Sequence, residues 1–472
     1  MNYRENYSKL ECMKIAYIGG GSRGWARGLM SDLATEPTMS GDVYLYDIDM
    51  AAAKANETIG NSLYNREDVV GKWHYIVANT LQEALTNADF VIISILPATF
   101  KESAVDVHWP EQYGIYQSVG DTVGPGGIIR ALRTIPMIKE IALAIKEFSP
   151  NAWVINYTNP MSITVKTLYK VFPEIKAFGC CHEVFGTQDL LNAMIEEKYG
   201  IKADREDMKV DVSGINHFTW LSEAQYKGIN LLEEYREFVD SHYEEGFFGT
   251  DANHWMNNSF VCNHRVKFDL FKRFGAIAAA GDRHLAEFCP GDWYLESPEN
   301  VAKWKFGLTT VAWRMDDLQK RLAETERLLN GEEFVLKCTG EEGVKQIKAL
   351  VGLGDMVTNC NYPNIGQAPD LPMGAIVETN VYFSDDHIRP VCSKPLPEPV
   401  KEMITKIIEE QELVVEAGLT ENYDLALKAF LMDNLIVIPE AEAKQLFFEM
   451  VEETKSWLPG AEEYLSIKKQ KV

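Results

Sequence analysis

Short apolar runs followed by stretches of helical spacing recur through the first 200 residues. KIAYIG at 14–19 ends in glycines, a helical pattern follows over Trp25 to Ala34, and VYLYD at 43–47 is the next apolar run. The chain therefore opens as strand, helix, strand. Further runs at 74–78, 89–96 (DFVIISIL), 152–156 (AWVIN) and about 175–179 continue the alternation. Strands that alternate with helices in this way predict a parallel, doubly wound sheet.

The pattern changes after Gly200. MKVDVSGINHFTWLSEAQYKGINLL at 208–232 predicts an antiparallel hairpin, and long helical stretches lie near 299–330, 395–416 and 437–456. The fold expected is α/β, with an N-terminal Rossmann-like doubly wound parallel sheet over 13–200. A C-terminal α+β domain over 201–472 is expected to carry substrate, metal and oligomerisation surfaces. No repeat, low-complexity tract or long linker separates the halves, so an extensive interface between them is expected. The first dozen residues are polar, and Met13 stands as an alternative start.

Composition narrows the partners. At 472 residues, 46% hydrophobic and 25% charged, the chain is long enough for two cores. A formal charge of −24 with no Lys/Arg cluster argues against nucleic acid and anionic membranes and for a small-molecule ligand. MNYRENYSKLEC has no apolar core, and Phe90 to Leu96 is too short to span a bilayer, so a cytoplasmic protein is expected. Eight scattered cysteines then read as free thiols, which argues against a disulfide between Cys180 and Cys181.

Gly19-Gly20-Gly21-Ser22-Arg23-Gly24 satisfies G-x-G-x-x-G between a predicted strand and a predicted helix, where backbone N–H groups can approach a pyrophosphate. Asp47 ends the next strand, in place to accept hydrogen bonds from a ribose and repel a 2′-phosphate, which favours NAD over NADP. A glycine turn without a ligand is the alternative. SILPATF at 94–100, with Pro97, is placed to line the nicotinamide side. GDTVGPGGIIRALRTIP at 120–136 puts a glycine cluster before Arg130 and Arg133, either an anion site or arginines paired with acids.

GCCHEVFGTQ at 179–188 raises the sharpest question. At a strand-to-helix junction its Cys-Cys-His can be a metal site, a nucleophile or packing, and the residues alone leave these open.

The ordered set GGGSRG, LYDID, GDTVGPGG, NYTNPM, GCCHEV, GINHFTW, GDRHLAEF and NYPNIGQAPDLP resembles glycoside hydrolase family 4, glycosidases that use NAD and a divalent metal. The resemblance runs from about Lys14 to beyond residue 380. It implies Cys181 and His217 as metal ligands for Mn2+, or for Fe2+, Co2+ or Ni2+. It also implies Asp121 as general acid, Asp282 as the base for the C2 proton, and Asn159 at the sugar hydroxyls. The CHEVF version, with His182, resembles the α-galacturonidase branch.

The mechanism implied is oxidation at sugar C3 by NAD, loss of the C2 proton, elimination of the C1 oxygen, water addition and return of the hydride. A uronide carboxylate needs a cation, for which Arg283, His284, Arg130, Arg133 and His182 are candidates. Glu183 beside an anionic substrate is unexplained unless it orients another group. Relatives of this kind are dimers or tetramers, so a homodimer or homotetramer is expected. The alternatives are an α-glucosidase or α-galactosidase of the same family, a malate- or lactate-type NAD dehydrogenase, and an NAD-sensing regulator.

Overall fold

A computed structural model describes residues 9–247 and 262–469. Its first strand, β1 (Leu10–Ile18), is buried continuously from Ile15 to Ile18, because it lies between parallel neighbours with helices over both faces. Those neighbours are β2 (Met39–Tyr46) and β4 (Phe90–Ile93); β3 (Lys72–Val77), β5 (Trp153–Asn156) and β6 (Lys176–Gly179) complete the order β3-β2-β1-β4-β5-β6. This is the dinucleotide-binding order 3-2-1-4-5-6, so the doubly wound parallel sheet expected of the first half is present.

A second, smaller sheet is built from β7 (Lys209–Ile215), β8 (Phe218–Tyr226), the short β9 (Ile229–Asn230) and β10 (Ile277–Ala278), with β7 and β8 forming the predicted hairpin. The last three strands, β11 (Met356–Pro363), β12 (Ile376–Ser384) and β13 (His387–Pro390), return to the first sheet and extend it antiparallel beyond β6. The main sheet thus crosses residue 200. Periodicity did not announce β11 because its buried positions are Thr358, Asn359, Cys360 and Asn361, three of them polar.

The helices that carry or support the site are α1 (Trp25–Ala34), α2 (Gly124–Phe148), α3 (Glu183–Tyr199), α4 (Arg265–Phe274), α5 (Asp282–Phe288), α6 (Val311–Leu329) and α7 (Glu398–Thr420). The helical stretch expected near 299–330 is broken: Pro298–Lys303 stops, and Thr310 starts α6 by accepting the Trp313 N–H. Ile128, Leu132 and Ile135 of α2 share one core with Val400, Ile404 and Val414 of α7, so the halves meet through apolar packing. No helix among the described residues is long and apolar enough to cross a membrane.

On α2, Arg133 does not reach toward any ligand. Its guanidinium makes a fully buried pair with Asp106, one contact being Nη1 to Oδ1 at 2.9 Å, which removes it from the candidates for a substrate carboxylate. Breaking such a pair leaves a charge stranded in apolar surroundings. Arg133→Met is expected to cost about 3–5 kcal/mol in urea unfolding, and Arg133→Met with Asp106→Leu to recover most of it. Equal stability of the single and double variants would refute the pair.

Candidate active site

The loops after β1 and β4 leave the sheet on the same edge but lead to opposite faces, and a crevice opens between them. In the first loop Gly19 has φ +97°, and a Cβ there would stand 1.9 Å from the Ser94 carbonyl oxygen. Gly21 donates its N–H to Asp47 Oδ2 at 2.8 Å, and a Cβ on it would press on the same oxygen at 2.9 Å. Only glycine brings the backbone this close. Gly24 at the head of α1 offers no side-chain cap, so beyond the Trp25 N–H, which Ser22 takes up, N–H groups of the first turn stay available to a ligand. These features fit the pyrophosphate of a dinucleotide.

The supporting residues sit as follows. Ser22 Oγ accepts the Trp25 N–H at 3.1 Å, and Asp47 Oδ1 accepts the Asp49 N–H at 2.8 Å. Gly24 is on the wall of a cavity of about 1040 Å³. Pro97 is buried in the loop after β4 and is not on that wall.

The cavity runs from the glycine loop to a cluster of side chains brought from four parts of the chain. Asp121, His217 and His284 place donor atoms within 4.8 Å of one another. His217 occupies the two-residue turn between β7 and β8 with φ +65°, and its ring lies tilted against that of His284, 3.8 Å between centroids. Asp121 follows Val119 and Gly120, whose N–H groups both donate to Glu287 Oε1, at 2.7 and 2.8 Å. Glu287, on α5, therefore holds the Asp121 loop in place.

Proton accounting assigns the tautomers. The Thr122 hydroxyl donates its single proton to Asp121 Oδ1 at 2.7 Å, so its 2.9 Å contact with His217 Nδ1 must be the ring N–H donating to oxygen. That leaves the His217 Nε2 lone pair unprotonated. His284 Nε2 stands 3.6 Å from Glu183 Oε1, while its buried Nδ1 has no hydrogen-bond partner among the described residues. An orphaned imidazole nitrogen beside a carboxylate and a second imidazole fits a divalent cation.

Electrostatics agree. Burial, and then His284, push the His217 imidazole down to about 3, so it is neutral and able to ligate. Burial opposes ionisation of Asp121, but its charged surroundings, with the guanidinium groups of Arg130 and Arg314, outweigh it and hold its carboxyl well below the usual range. An anion of this kind can ligate a cation. The same balance applies to Glu183, where burial is outweighed by charged surroundings that include His182 and by the Gly281 N–H. Glu183 also accepts the Gly281 N–H at 2.7 Å, which anchors it with Oε1 beside the His284 ring.

Cys181, directly beyond β6, lines the same cavity but is not one of those three donors. Burial, then Glu378 and Glu183, push its thiol up, which keeps the sulfur protonated. Cys180 turns away and donates to Gln346 Oε1 at 2.8 Å. Asn159 lines the cavity with its amide 3.4 Å from Asp121 Oδ2, and Arg130 stands behind it, Nε donating to the Asn159 carbonyl at 3.3 Å.

His182 is half open to the cavity. Burial opposes its charge, but the 2.9 Å contact with Glu341 and the charge of Glu183 raise it to about 9. Arg283 is on the wall and donates to Thr309 Oγ1. Asp282 corrects an expectation: its carboxylate is fully buried behind the wall and accepts the Val266 and Lys267 N–H groups at 3.3 and 3.2 Å. The first turn of α4 takes it up, so it does not face a sugar.

Four contributors escaped sequence reasoning. Thr122 and Glu287 lie within quoted motifs but act through pairings that spacing does not reveal. Lys267 is a fully buried lysine on the wall, with Nζ on Thr187 Oγ1 at 2.8 Å and its pKa lowered by burial. Glu378 on β12 is gripped by the side-chain amides of Asn216, Asn359 and Asn361 at 3.3, 2.6 and 3.0 Å.

The sequence model described as family 4 glycosyl hydrolase matches residues 14–197, and that of its C-terminal domain matches residues 212–436. The chain belongs to glycosyl hydrolase family 4. Among relatives of this glycoside hydrolase is an alpha-galacturonidase of Thermoanaerobacterium saccharolyticum, 60% identical over 454 residues that cover 96% of this chain and 98% of that one. A crystal structure from Bacillus subtilis superposes with a TM-score of 0.89 at 52% identity, covering 93% of this chain and 100% of that one. A 6-phospho-alpha-glucosidase from gut microorganisms, solved with NAD and Mn2+, shares the fold at TM-score 0.78 and 20% identity, covering 95% of this chain and 99% of that one. Family membership replaces the dehydrogenase and regulator alternatives.

Burial pushes the Glu287 carboxyl up to about 8 despite the two N–H groups it accepts. Folding therefore binds a proton at Glu287 between pH 4.5 and 8, and stability from this group falls as pH rises through that window. Glu287→Gln is expected to gain on the wild type by up to about 1.4 kcal/mol per pH unit there. A pH-independent difference in urea unfolding would refute the assignment.

Proposed function

We propose that this glycoside hydrolase cleaves α-galacturonides, with NAD and a Mn2+-type ion bound in the one cavity that joins the glycine loop to the Asp121–His217–His284 cluster. The substrate class is supported by the alpha-galacturonidase relative at 60% identity. The observation that carries the chemistry is the orphaned Nδ1 of His284 facing a neutral His217 and an ionised Asp121.

Two imidazoles and one carboxylate are a donor set for Mn2+ or Fe2+ that leaves positions for sugar oxygens. It avoids the mismatch of a thiolate with an oxygen-preferring ion, and Cys181 serves as an adjacent donor on the wall. When bound, the nicotinamide supplies a reversible two-electron oxidation at a sugar carbon and the ion supplies Lewis acidity. Asp121, His217 and His284 hold the ion; Thr122 and Glu183 fix the two imidazoles; Asn159 offers its amide to sugar hydroxyls. His182 carries the proton on the wall that a leaving oxygen can take, and Arg283 and Lys267 supply positive charge for a carboxylate. A cytoplasmic location and a homo-oligomeric state complete the reading.

Hydrolysis of p-nitrophenyl α-D-galacturonide, set against the α-galactoside and α-glucoside, tests the substrate. Cleavage of the uronide alone, lost when NAD+ or Mn2+ is omitted, is expected. Preference for a neutral glycoside would assign the chain to an α-galactosidase or α-glucosidase instead. For the ion, Glu183→Gln is expected to weaken Mn2+ binding about 10- to 100-fold, with NAD binding unchanged. If Cys181→Ser abolishes Mn2+ binding while Glu183→Gln and His284→Ala do not, the ion belongs to Cys181.

A further inference from the structure

A second set of metal-type donors lies on the same cavity and shares no residue with the first. Cys262-Asn263-His264 leads into α4, and His264 takes the N-cap position with φ +60°, a left-handed backbone that a residue with a Cβ rarely adopts. It makes no side-chain cap bond with α4. Its ring turns to the cysteine two residues before it, with Nδ1 3.7 Å from Cys262 Sγ. Cys262 is itself held by a bridge to Phe306.

Asp282 closes the back. Its carboxylate is pinned by the Val266 and Lys267 N–H groups, at 3.3 and 3.2 Å, and the donor atoms of Cys262, His264 and Asp282 all lie within 4.8 Å of one another. Asp282 is fully buried, whereas Cys262 and His264 are partly open and line the cavity. No cationic side chain pairs with Asp282 within 4.0 Å among the described residues. The nearby ammonium of Lys267 is directed to Thr187 Oγ1. A strained histidine, a free thiol and a fully buried carboxylate converge with one side left open.

We propose that Cys262, His264 and Asp282 form a second divalent-cation site, of the Zn2+ class, with its remaining position open to the cavity. The donor chemistry selects the class: thiolate and imidazole favour a borderline-soft ion, unlike the nitrogen and oxygen donors of the first cluster. Thiolate and carboxylate together neutralise the ion, and the proton leaves the thiol for solvent as the metal–sulfur bond forms. Such an ion ties the start of α4 to the start of α5. Arg283 and His284, the next two residues of α5, line the cavity, so the ion fixes the wall that carries them.

The test uses the reduced, metal-stripped full chain titrated with Co2+, read by thiolate-to-cobalt absorption in the near ultraviolet and by metal bound per chain. The wild type is expected to take about two equivalents, and Cys262→Ser or His264→Gln about one, with most of that absorption lost. Cys181→Ser is expected to keep it. Unfolding with and without Zn2+ gives a second reading: Zn2+ is expected to raise the Tm of the wild type but not of His264→Gln. The proposal is overturned if Cys262→Ser binds as much Co2+ with unchanged absorption, if Cys181→Ser alone removes the absorption, or if Zn2+ raises the Tm of His264→Gln as much as that of the wild type.

Discussion

Parallel strands buried on both faces cannot be joined by tight turns; every connection must cross over the sheet, so all their carboxyl ends open along one edge. In this chain that constraint places the glycine loop after β1, the Ser94 loop after β4, Asn159 after β5 and the Cys-Cys-His turn after β6 side by side. The smaller sheet then brings the tip of its β7–β8 hairpin, with His217, over the same edge, and α5 brings His284. The site is where two independently built pieces face each other. Its cavity depends on the apolar packing of α2 against α7 that holds the halves together.

Within that cavity the chain brings both signs of charge together. Its wall carries Lys267, Arg283 and Arg314 alongside acids such as Asp121, Glu183 and Glu341. The acids closest to the histidines are committed: Asp121 accepts from Thr122 and Glu183 from Gly281, while Glu287, behind the wall, accepts the Val119 and Gly120 amides. Buried charges are tolerable only when hydrogen bonds satisfy them, and here those bonds also set tautomers and orient ligands. Glu183, awkward beside an anionic substrate when read as a sequence neighbour, becomes intelligible as the partner of His284.

The motifs were legible where chemistry is carried by consecutive residues. Gly24, Cys181 and His217, which the structure puts on one cavity, could be picked out because a glycine loop, a strand end and a hairpin tip are local structures with local signatures. Arg133 was left between an anion site and an acid partner, and Asp282 was read as facing a sugar, for one reason. A charged residue inside a motif reads the same whether it faces a ligand or a buried partner, and Asp106 is 27 residues from Arg133 while Val266 is 16 from Asp282. Strand β11 was missed because its buried positions are held by hydrogen bonds, among them the grip of Asn359 and Asn361 on Glu378 of β12, rather than by an apolar period.

The sequence by itself determined the alternation of strands and helices, the nucleotide loop and the ordered motifs that place the chain in its family, since these depend on spacing along the backbone. Only the tertiary structure decided which donors meet. It joined Asp121, His217 and His284, set Cys181 beside them, and sent Asp282 to another cluster. The physical reason is that ligation and proton placement depend on distances of a few ångströms between atoms far apart in the chain, which long-range packing creates and residue order does not encode locally.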